Sequence, residues 1–532
     1  MMGNVSFGME RRESSRSDSI GPERKVFYLT TAIDYANGPP HLGHAYEKVL
    51  ADVVARYRRL KGEAVHFLTG LDEHGQKVQQ KAQTEGLSPV LYCDQIAQQF
   101  ARLLADLNIT NDDYLRTTEE RHREYVRKSL QALWDQGCIY KGTYTGAYSV
   151  KEERFLQDKD QVEGRWPDIY GEVKSLTEPN YFFRLSSYQD WWVDFLTRNP
   201  TFIYPSFRQK QVMEFLKEPL NDLCLSRPKE RLSWGIPLPF DENFVTYVWL
   251  DALLNYVSAV DESSLWPADL QIIGKDILVP AHAVYWPILL KALGRPMPRM
   301  ILVHGWWLAR GNKLSKSLGN TVDPFQWIRD YGSDACRYFF MREMVTGQDS
   351  EFSTEVFESR YNADLANEWG NLVNRTLSMV HRYCRGTWPE DLVEEEWERD
   401  LAHKWSSVGP EILECFDRYQ FPIGLEKLFS FVRELNRYVD QRAPWRLSKS
   451  SEDRVRLNST LLALAEGIRL VALVLYPIMP VKSEHILASL GSEPVSRWSE
   501  ALNWNPRNLC GRSASLPVPL FPKKITMPQN AF

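Results

Sequence analysis

Between Lys25 and Asp72 the chain reads as a strand, a tight loop, a helix and a second strand, and that order leaves few folds open. The stretch "KVFYLTTAI" (Lys25 to Ile33) has the β-branched and aromatic content of a strand, and Asn37-Gly38-Pro39-Pro40 is a turn cluster that cannot extend it. From Tyr46 onward apolar residues fall at Tyr46, Val49, Leu50, Val53, Val54, Tyr57 and Leu60, the spacing of one buried helical stripe. Glu47, Lys48, Asp52, Arg56 and Arg59 are expected on the wet face of that helix. Gly62 ends it, and "AVHFLTG" (Ala64 to Gly70) reads as a second buried strand. A β-α-β unit of this kind predicts an open parallel sheet, in which ligands settle at the carboxyl ends of the strands. That edge collects "PPHLGH" and then the charged "LDEHGQKV".

Composition sets the outer limits. With 532 residues, 43% hydrophobic and 25% charged, the chain is long enough for two to four domains. Its net charge of −5 does not advertise nucleic-acid binding, so any such claim rests on local residues. Seven cysteines (93, 138, 224, 336, 384, 415 and 510) are scattered with no CxxC pair, which supports neither a zinc knuckle nor a disulfide scaffold and fits a reducing compartment. The apolar run from Leu461 contains Glu466 and Arg469, which predicts a buried bundle helix and no membrane span. Residues 1–24 are rich in Ser and Arg but also carry acids and no apolar run. They are expected to be a disordered tail on a cytoplasmic protein, with a transit peptide to an organellar matrix as the alternative.

Neither the Walker A pattern nor GxGxxG is present, so a phosphate at the first loop would be met by side chains. Two imidazoles at a helix start, His41 and His44, offer N–H donors, and Gly43 between them allows close approach to the backbone. The plainer alternative is that one histidine caps the helix and the other packs. Downstream, "GNKLSKSLGN" sets Lys313 and Lys316 in a Gly/Ser/Asn-rich loop after the strand-like "RMILVH"; alone, such a loop is as well read as a solvated turn.

Together the two motifs resemble the HIGH and KMSKS signatures of class I aminoacyl-tRNA synthetases, here His41-Leu42-Gly43-His44 and Lys313-Leu314-Ser315-Lys316-Ser317. Within that class the chain is similar to the methionyl-tRNA synthetase family. The matches are "YANGPPHLGH", "GLDEHGQKV", "SWGIPLP", "YVWLDALLNY", "IIGKDIL", "NLVNR" and "APW", and they span roughly residues 25 to 522. The resemblance implies an α/β Rossmann-like catalytic domain with an inserted connective domain, followed by an α-helical anticodon-binding bundle. It implies ATP-dependent attachment of methionine to tRNA(Met) through methionyl-adenylate, with Mg2+ accompanying ATP. His41, His44, Lys313 and Lys316 are the catalytic candidates, and Gly43 and Ser315 join them in binding ATP. Ile33, Tyr35, Trp249, Tyr256 and His282 would surround the methionine side chain, with Asp72 on its ammonium. Asn371, Arg375, Pro444 and Trp445 are the anticodon candidates. Without the resemblance, Trp249 and Tyr256 read as core residues and Trp445 as the end of a surface helix.

The expected division is a tail at 1–24, the first catalytic half at 25–113, the connective insertion at 114–235, the second catalytic half with the KLSKS loop at 236–360, the helical domain at 361–510 and a C-terminal tail at 511–532. Glycine and proline punctuation of the helical part is expected at Gly409-Pro410, Pro422 and Pro477. Three departures from the family pattern stand out. Leu314 replaces the usual Met, a tolerable apolar exchange. "DILVPAHAVYWP" holds one residue more than usual between Asp276 and His282, which predicts a bulge at Pro280-Ala281. "YTGAYSVKEERFL" (Tyr144 to Leu156) has no cysteine pair, so no zinc is expected. The chain stops soon after "VPLFPKKI", so a monomer is expected. The rival readings are another amino-acid specificity of the same subclass, disfavoured by the short interval from Asn111 to Ser233, and a non-catalytic tRNA-binding paralogue, disfavoured by the intact charges of both signatures.

Overall fold

Val26–Thr31 lies at the centre of a seven-stranded sheet in the computed structural model of the chain, which describes residues 26–149, 154–156, 161, 164–309, 312–313, 322–493, 497–498 and 501–523. The tail expected at 1–24 lies outside them. On one side the strand pairs with Ala64–Asp72 (Leu29 opposite Phe67), on the other with Leu270–Gly274 (Leu29 opposite Leu270). Ile301–His304 and then Ile203–Tyr204 continue the sheet to one edge. Asp113–Arg116 and the short Asp34–Tyr35 both pair with Ala64–Asp72, and every pairing is parallel. Phe67, Leu68, Ile272, Ile273 and Val303 are fully buried, as strands covered on both faces require.

Helix Leu42–Leu60 covers the sheet as its stripe predicts, but the face expected to be wet is not wet. Glu47, Lys48 and Asp52 are buried along with the stripe. The helix is packed on its far side too, by helix Ser333–Glu343, whose fully buried Arg337 places a guanidinium nitrogen 2.6 Å from Asp52 Oδ2. Asp52 also accepts from Arg56 and from the Thr110 backbone and hydroxyl. Arg337 donates further to the carbonyls of Leu107, Pro477 and Ile478, so one side chain ties the first catalytic half to the helical domain. A buried charge is tolerable when it is paired and its remaining hydrogen bonds are met, and here they are.

Strand pairing moves one of the expected domain boundaries. Asp113–Arg116 belongs to the parallel sheet, so the insertion starts after helix Glu120–Asp135, with Ile139–Ser149. That strand forms an antiparallel sheet with Arg154–Phe155 and Val173–Phe183, and Leu223–Cys224 closes its far edge. Beyond Pro324 the chain is largely helical. At the centre of the bundle, Arg454–Leu475 is buried from Leu457 to its end, and Arg469 meets Glu466 through two contacts of 2.7 Å. This is the one helix among the described residues long and apolar enough to cross a membrane, and its span is buried in the protein. Helix Glu396–Asp417 runs straight through the Gly409-Pro410 pair expected to punctuate it. An internal proline removes one backbone hydrogen bond, but Leu401, Trp405, Ile412 and Phe416 hold both halves of the helix in the core. The expected C-terminal tail packs as far as it is described: Leu520 and Phe521 are buried, and Tyr361 Oη donates to Pro522 O at 3.1 Å.

Candidate active site

The carboxyl ends of the central strands open into a cleft of about 500 Å3, and Ile33, Tyr35, Asp72, Trp249, Tyr256 and His282 all line it. So do His41, Gly43 and His44. The parallel topology brings Ile33, Asp72 and the chain leading to His282 to one edge, whereas Trp249 and Tyr256 arrive on helices that follow Asp241–Thr246, a strand of a separate antiparallel sheet.

The two histidines satisfy both readings offered for them. His41 is the N-cap of helix Leu42–Leu60: its Nδ1 accepts from Gly43 N at 3.1 Å, while His44 Nδ1 accepts from His41 N at 3.2 Å. The rings stack with centroids 3.7 Å apart. With Nδ1 accepting in each ring, a neutral imidazole carries its proton on Nε2 beside the positive end of the helix, and His44 Nε2 lies 4.0 Å from Asp34 Oδ1. A Cβ at position 43 would lie 3.0 Å from the His41 ring, which is why glycine separates them.

Trp249 and Tyr256 lie on two consecutive short helices, Val248–Leu253 and Asn255–Ser258. Tyr256 is buried, its hydroxyl is 2.7 Å from His282 Nε2, and Trp249 meets the same imidazole edge-on. His282 Nδ1 is 2.9 Å from Ile277 O, which fixes the proton on Nδ1 and makes Tyr256 the donor to Nε2. Across Leu278–Tyr285, where the extra residue was expected, the chain is helical on both sides of a kink at Val279 (φ −114°, ψ 127°), and His282 N donates to Ile277 O five residues back. The distortion falls at Val279, one residue before the expected bulge.

Burial holds His282 well below the ordinary histidine value, at about 4. A histidine kept neutral on folding binds fewer protons than the unfolded chain between the two pKa values. Its stabilising contribution is therefore complete above about pH 6.5 and is lost as pH falls toward 4. From 6.5 to about 4, the difference amounts to about 3 kcal/mol. The melting temperature of wild type is expected to fall relative to that of His282→Gln between pH 7 and pH 4.5 in parallel thermal melts. Parallel pH profiles for the two proteins would refute the neutral assignment.

Asp34, Glu47 and His304 line the cleft and Lys48 lies behind them, and the sequence alone assigned none of the four a role in the site. Lys48 Nζ, almost fully buried, lies 2.7 Å from Glu47 Oε1, 2.8 Å from Ala32 O and 3.1 Å from both Thr31 Oγ1 and Asp34 Oδ1. Glu47 Oε2 is 3.1 Å from His304 Nε2, at the end of strand Ile301–His304. Burial disfavours both the Lys48 and Glu47 charges. Even so, Asp34 and Glu47 hold Lys48 above its ordinary value, while Lys48 and His304 hold Glu47 below its own. At Asp34 burial outweighs the pull of Lys48 and pushes the carboxyl up to about 7. The cluster pins the bend that carries Ile33 and Tyr35 to the HLGH helix. Its one legible signal was position: His304 ends a strand, as Asp72 does.

Trp306 and Trp307 line the cleft and lead into a hairpin in which Trp307–Ala309 pairs antiparallel with Asn312–Lys313, Leu308 opposite Lys313. Ser315 and Lys316 lie outside the described residues, and only the backbone of Lys313 is described. Among the described residues no group of three or more His, Cys, Asp or Glu side chains is gathered as a metal would need.

The four anticodon candidates lie in the helical domain. Asn371 and Arg375 are one turn apart on helix Asn371–Cys384, and Arg375 is 2.9 Å from Asp440 on helix Phe421–Arg442. That helix ends at Ala443, in left-handed backbone with φ 45, and Pro444–Leu447 follows as a short helix. Pro444 is buried, whereas Trp445 is 41% exposed, so its ring is accessible to a partner. Asn371 also borders a second cavity, of about 370 Å3, with Asn374 and Phe521.

Comparison with known proteins agrees with this geometry. The family described as tRNA synthetases class I (M) matches residues 27–175 and 168–377. The methionine–tRNA ligase of Caldanaerobacter subterraneus subsp. tengcongensis is 40% identical over 484 residues, 89% of this chain and 75% of that protein. The methionine–tRNA ligase of Rickettsia conorii is 40% identical over 508 residues, 94% of this chain and 99% of that one. A Mycobacterium tuberculosis methionyl-tRNA synthetase solved in complex with methionyl-adenylate superposes with a TM-score of 0.88 at 38% identity, covering 94% of this chain and all of that one. Sequence, fold and cleft thus agree, and the chain belongs to the methionine–tRNA ligases of the class I tRNA synthetases.

Proposed function

We propose that this chain condenses methionine with ATP to give methionyl-adenylate and pyrophosphate, then passes the methionyl group to the terminal adenosine of tRNA(Met), for translation initiation and elongation. The observation that carries this reading is the single cleft in which the amino-acid candidates and the HLGH helix start face each other. Asp72 takes the substrate ammonium. Trp249, Tyr256, His282, Ile33 and Tyr35 enclose a thioether, which gains mostly from contact with aromatic faces because sulfur is a weak acceptor. His41 and His44 donate from Nε2 to phosphate oxygens, and Lys313 and Lys316 supply positive charge as it develops on the departing pyrophosphate. ATP enters as its Mg2+ complex. The test is charging: purified protein with tRNA(Met), ATP and methionine should yield methionyl-tRNA, and failure to charge while still making adenylate would remove the second step.

Three finer points belong to the same reading. The enzyme works as a monomer; a stable dimer in light scattering would contradict this. It works in the cytoplasm, where seven unpaired thiols are at home. It needs no zinc: elemental analysis of the purified protein is expected to find less than stoichiometric zinc, and activity is expected to survive a zinc chelator. One zinc per chain would overturn the reading of residues 144 to 156.

A further inference from the structure

Two of the motifs that carry the resemblance contain residues outside the cleft wall: His74 in "GLDEHGQKV" and Asp251 in "YVWLDALLNY". The structure joins them. The Asp251 carboxylate is fully buried, with Oδ2 2.7 Å from His74 Nδ1 and Oδ1 2.7 Å from His122 Nε2. His122, equally buried, has its other nitrogen 2.7 Å from Ser258 Oγ. Each imidazole donates to the carboxylate, so both acceptor oxygens are used.

The arrangement spans three separate parts of the chain. His74 comes two residues after Asp72, Asp251 two residues after Trp249, and Ser258 two residues after Tyr256, while His122 stands on helix Glu120–Asp135. The stretch around His74 is itself anchored: Glu73 binds Arg116 at 2.6 Å, and the Trp234 indole donates to Glu73 O. Asp251 is thus the link between the wall that carries Asp72 and the wall that carries Trp249 and Tyr256. Burial alone would raise its pKa, yet the two histidines hold it down at about 2.

We propose that Asp251 is a positioning residue for the amino-acid half of the cleft, setting through His74 the distance between the Asp72 carboxylate and the Trp249–Tyr256 wall. This rests on the reading that the cleft binds methionine. A pocket that must meet an ammonium on one side and a thioether on the other is sensitive to displacements well under 1 Å. The nucleotide half, built on the HLGH helix and the hairpin after Trp307, does not depend on this link.

The test is methionine-dependent pyrophosphate exchange, with KM and kcat determined separately for each substrate. Asp251→Asn offers one acceptor oxygen where two imidazoles need one each. It is expected to raise KM for methionine roughly tenfold or more, with KM for ATP within about twofold of wild type and kcat changed less than KM. His74→Gln is expected to reproduce that pattern. Because the two residues act through one contact, the double variant should be at most about twofold worse than the poorer single one. If Asp251→Asn does not fold, His74→Gln, which leaves the Asp251–His122 contact in place, carries the same expectation alone. A folded variant with wild-type KM for methionine overturns the proposal. So do equal losses toward methionine and ATP that multiply in the double variant, the mark of a merely structural role. Wild-type protein without methionine-dependent exchange overturns the functional reading itself, and the proposal with it.

Discussion

Lys316→Ala is expected to lower kcat/KM for ATP by roughly 10²-fold or more in pyrophosphate exchange while leaving the Kd for methionine close to wild type. When the methionine carboxylate attacks the α-phosphorus, negative charge grows on the phosphate oxygens and on departing pyrophosphate. A fixed cation lowers the barrier by meeting charge that the ground state does not carry. A hundredfold loss corresponds to about 2.7 kcal/mol of transition-state stabilisation. The hairpin that starts at Trp307 leads from the cleft wall toward the KLSKS segment, whereas the amino-acid sub-site is built from other elements. This separation is why methionine binding should be spared. Wild-type exchange kinetics in the variant would remove Lys316 from the mechanism.

Trp445→Ala is expected to leave exchange near wild type and to reduce tRNA charging. Losing one base–aromatic stack costs on the order of 1–3 kcal/mol, or about tenfold to a hundredfold in kcat/KM for tRNA. The ring is 41% exposed and lines no part of the cleft, so its removal opens no large cavity in the core. The loss should be greatest for tRNA bearing the methionine anticodon and small for an acceptor-stem minihelix that never reaches the bundle. An equal drop in exchange and charging would instead make Trp445 a packing residue.

What was legible in the sequence was whatever depends on local pattern. Periodicity located the first two strands and the helix between them, which set His41 and His44 at a helix start and the charged "LDEHGQKV" at a strand end; the resemblance singled out Asp72 within it. The resemblance then supplied Trp249, Tyr256 and His282, which periodicity alone reads as core. Partnership across the chain was not legible. The polar face of helix Leu42–Leu60 looked wet because apolar spacing identifies one buried side and is silent about the other. Asp52 is buried because Arg337 reaches it from a helix on the far side of the sequence, and Lys48 because Asp34 and Glu47 surround it. The Asp251 contacts escaped for the same reason, since two histidines from separate segments converge on one carboxylate only after folding. Pro410 misled because proline is read as a breaker from local sequence, whereas core packing on both sides of it maintains the helix.

One cleft selects methionine and joins it to ATP. ATP–pyrophosphate exchange by the purified chain, run with each of the twenty amino acids in turn, decides whether it does. Exchange is expected with methionine, and background rates with leucine, isoleucine, valine and cysteine. Exchange with one of those instead would contradict the pocket assignment, and no exchange with any amino acid would contradict the catalytic reading altogether.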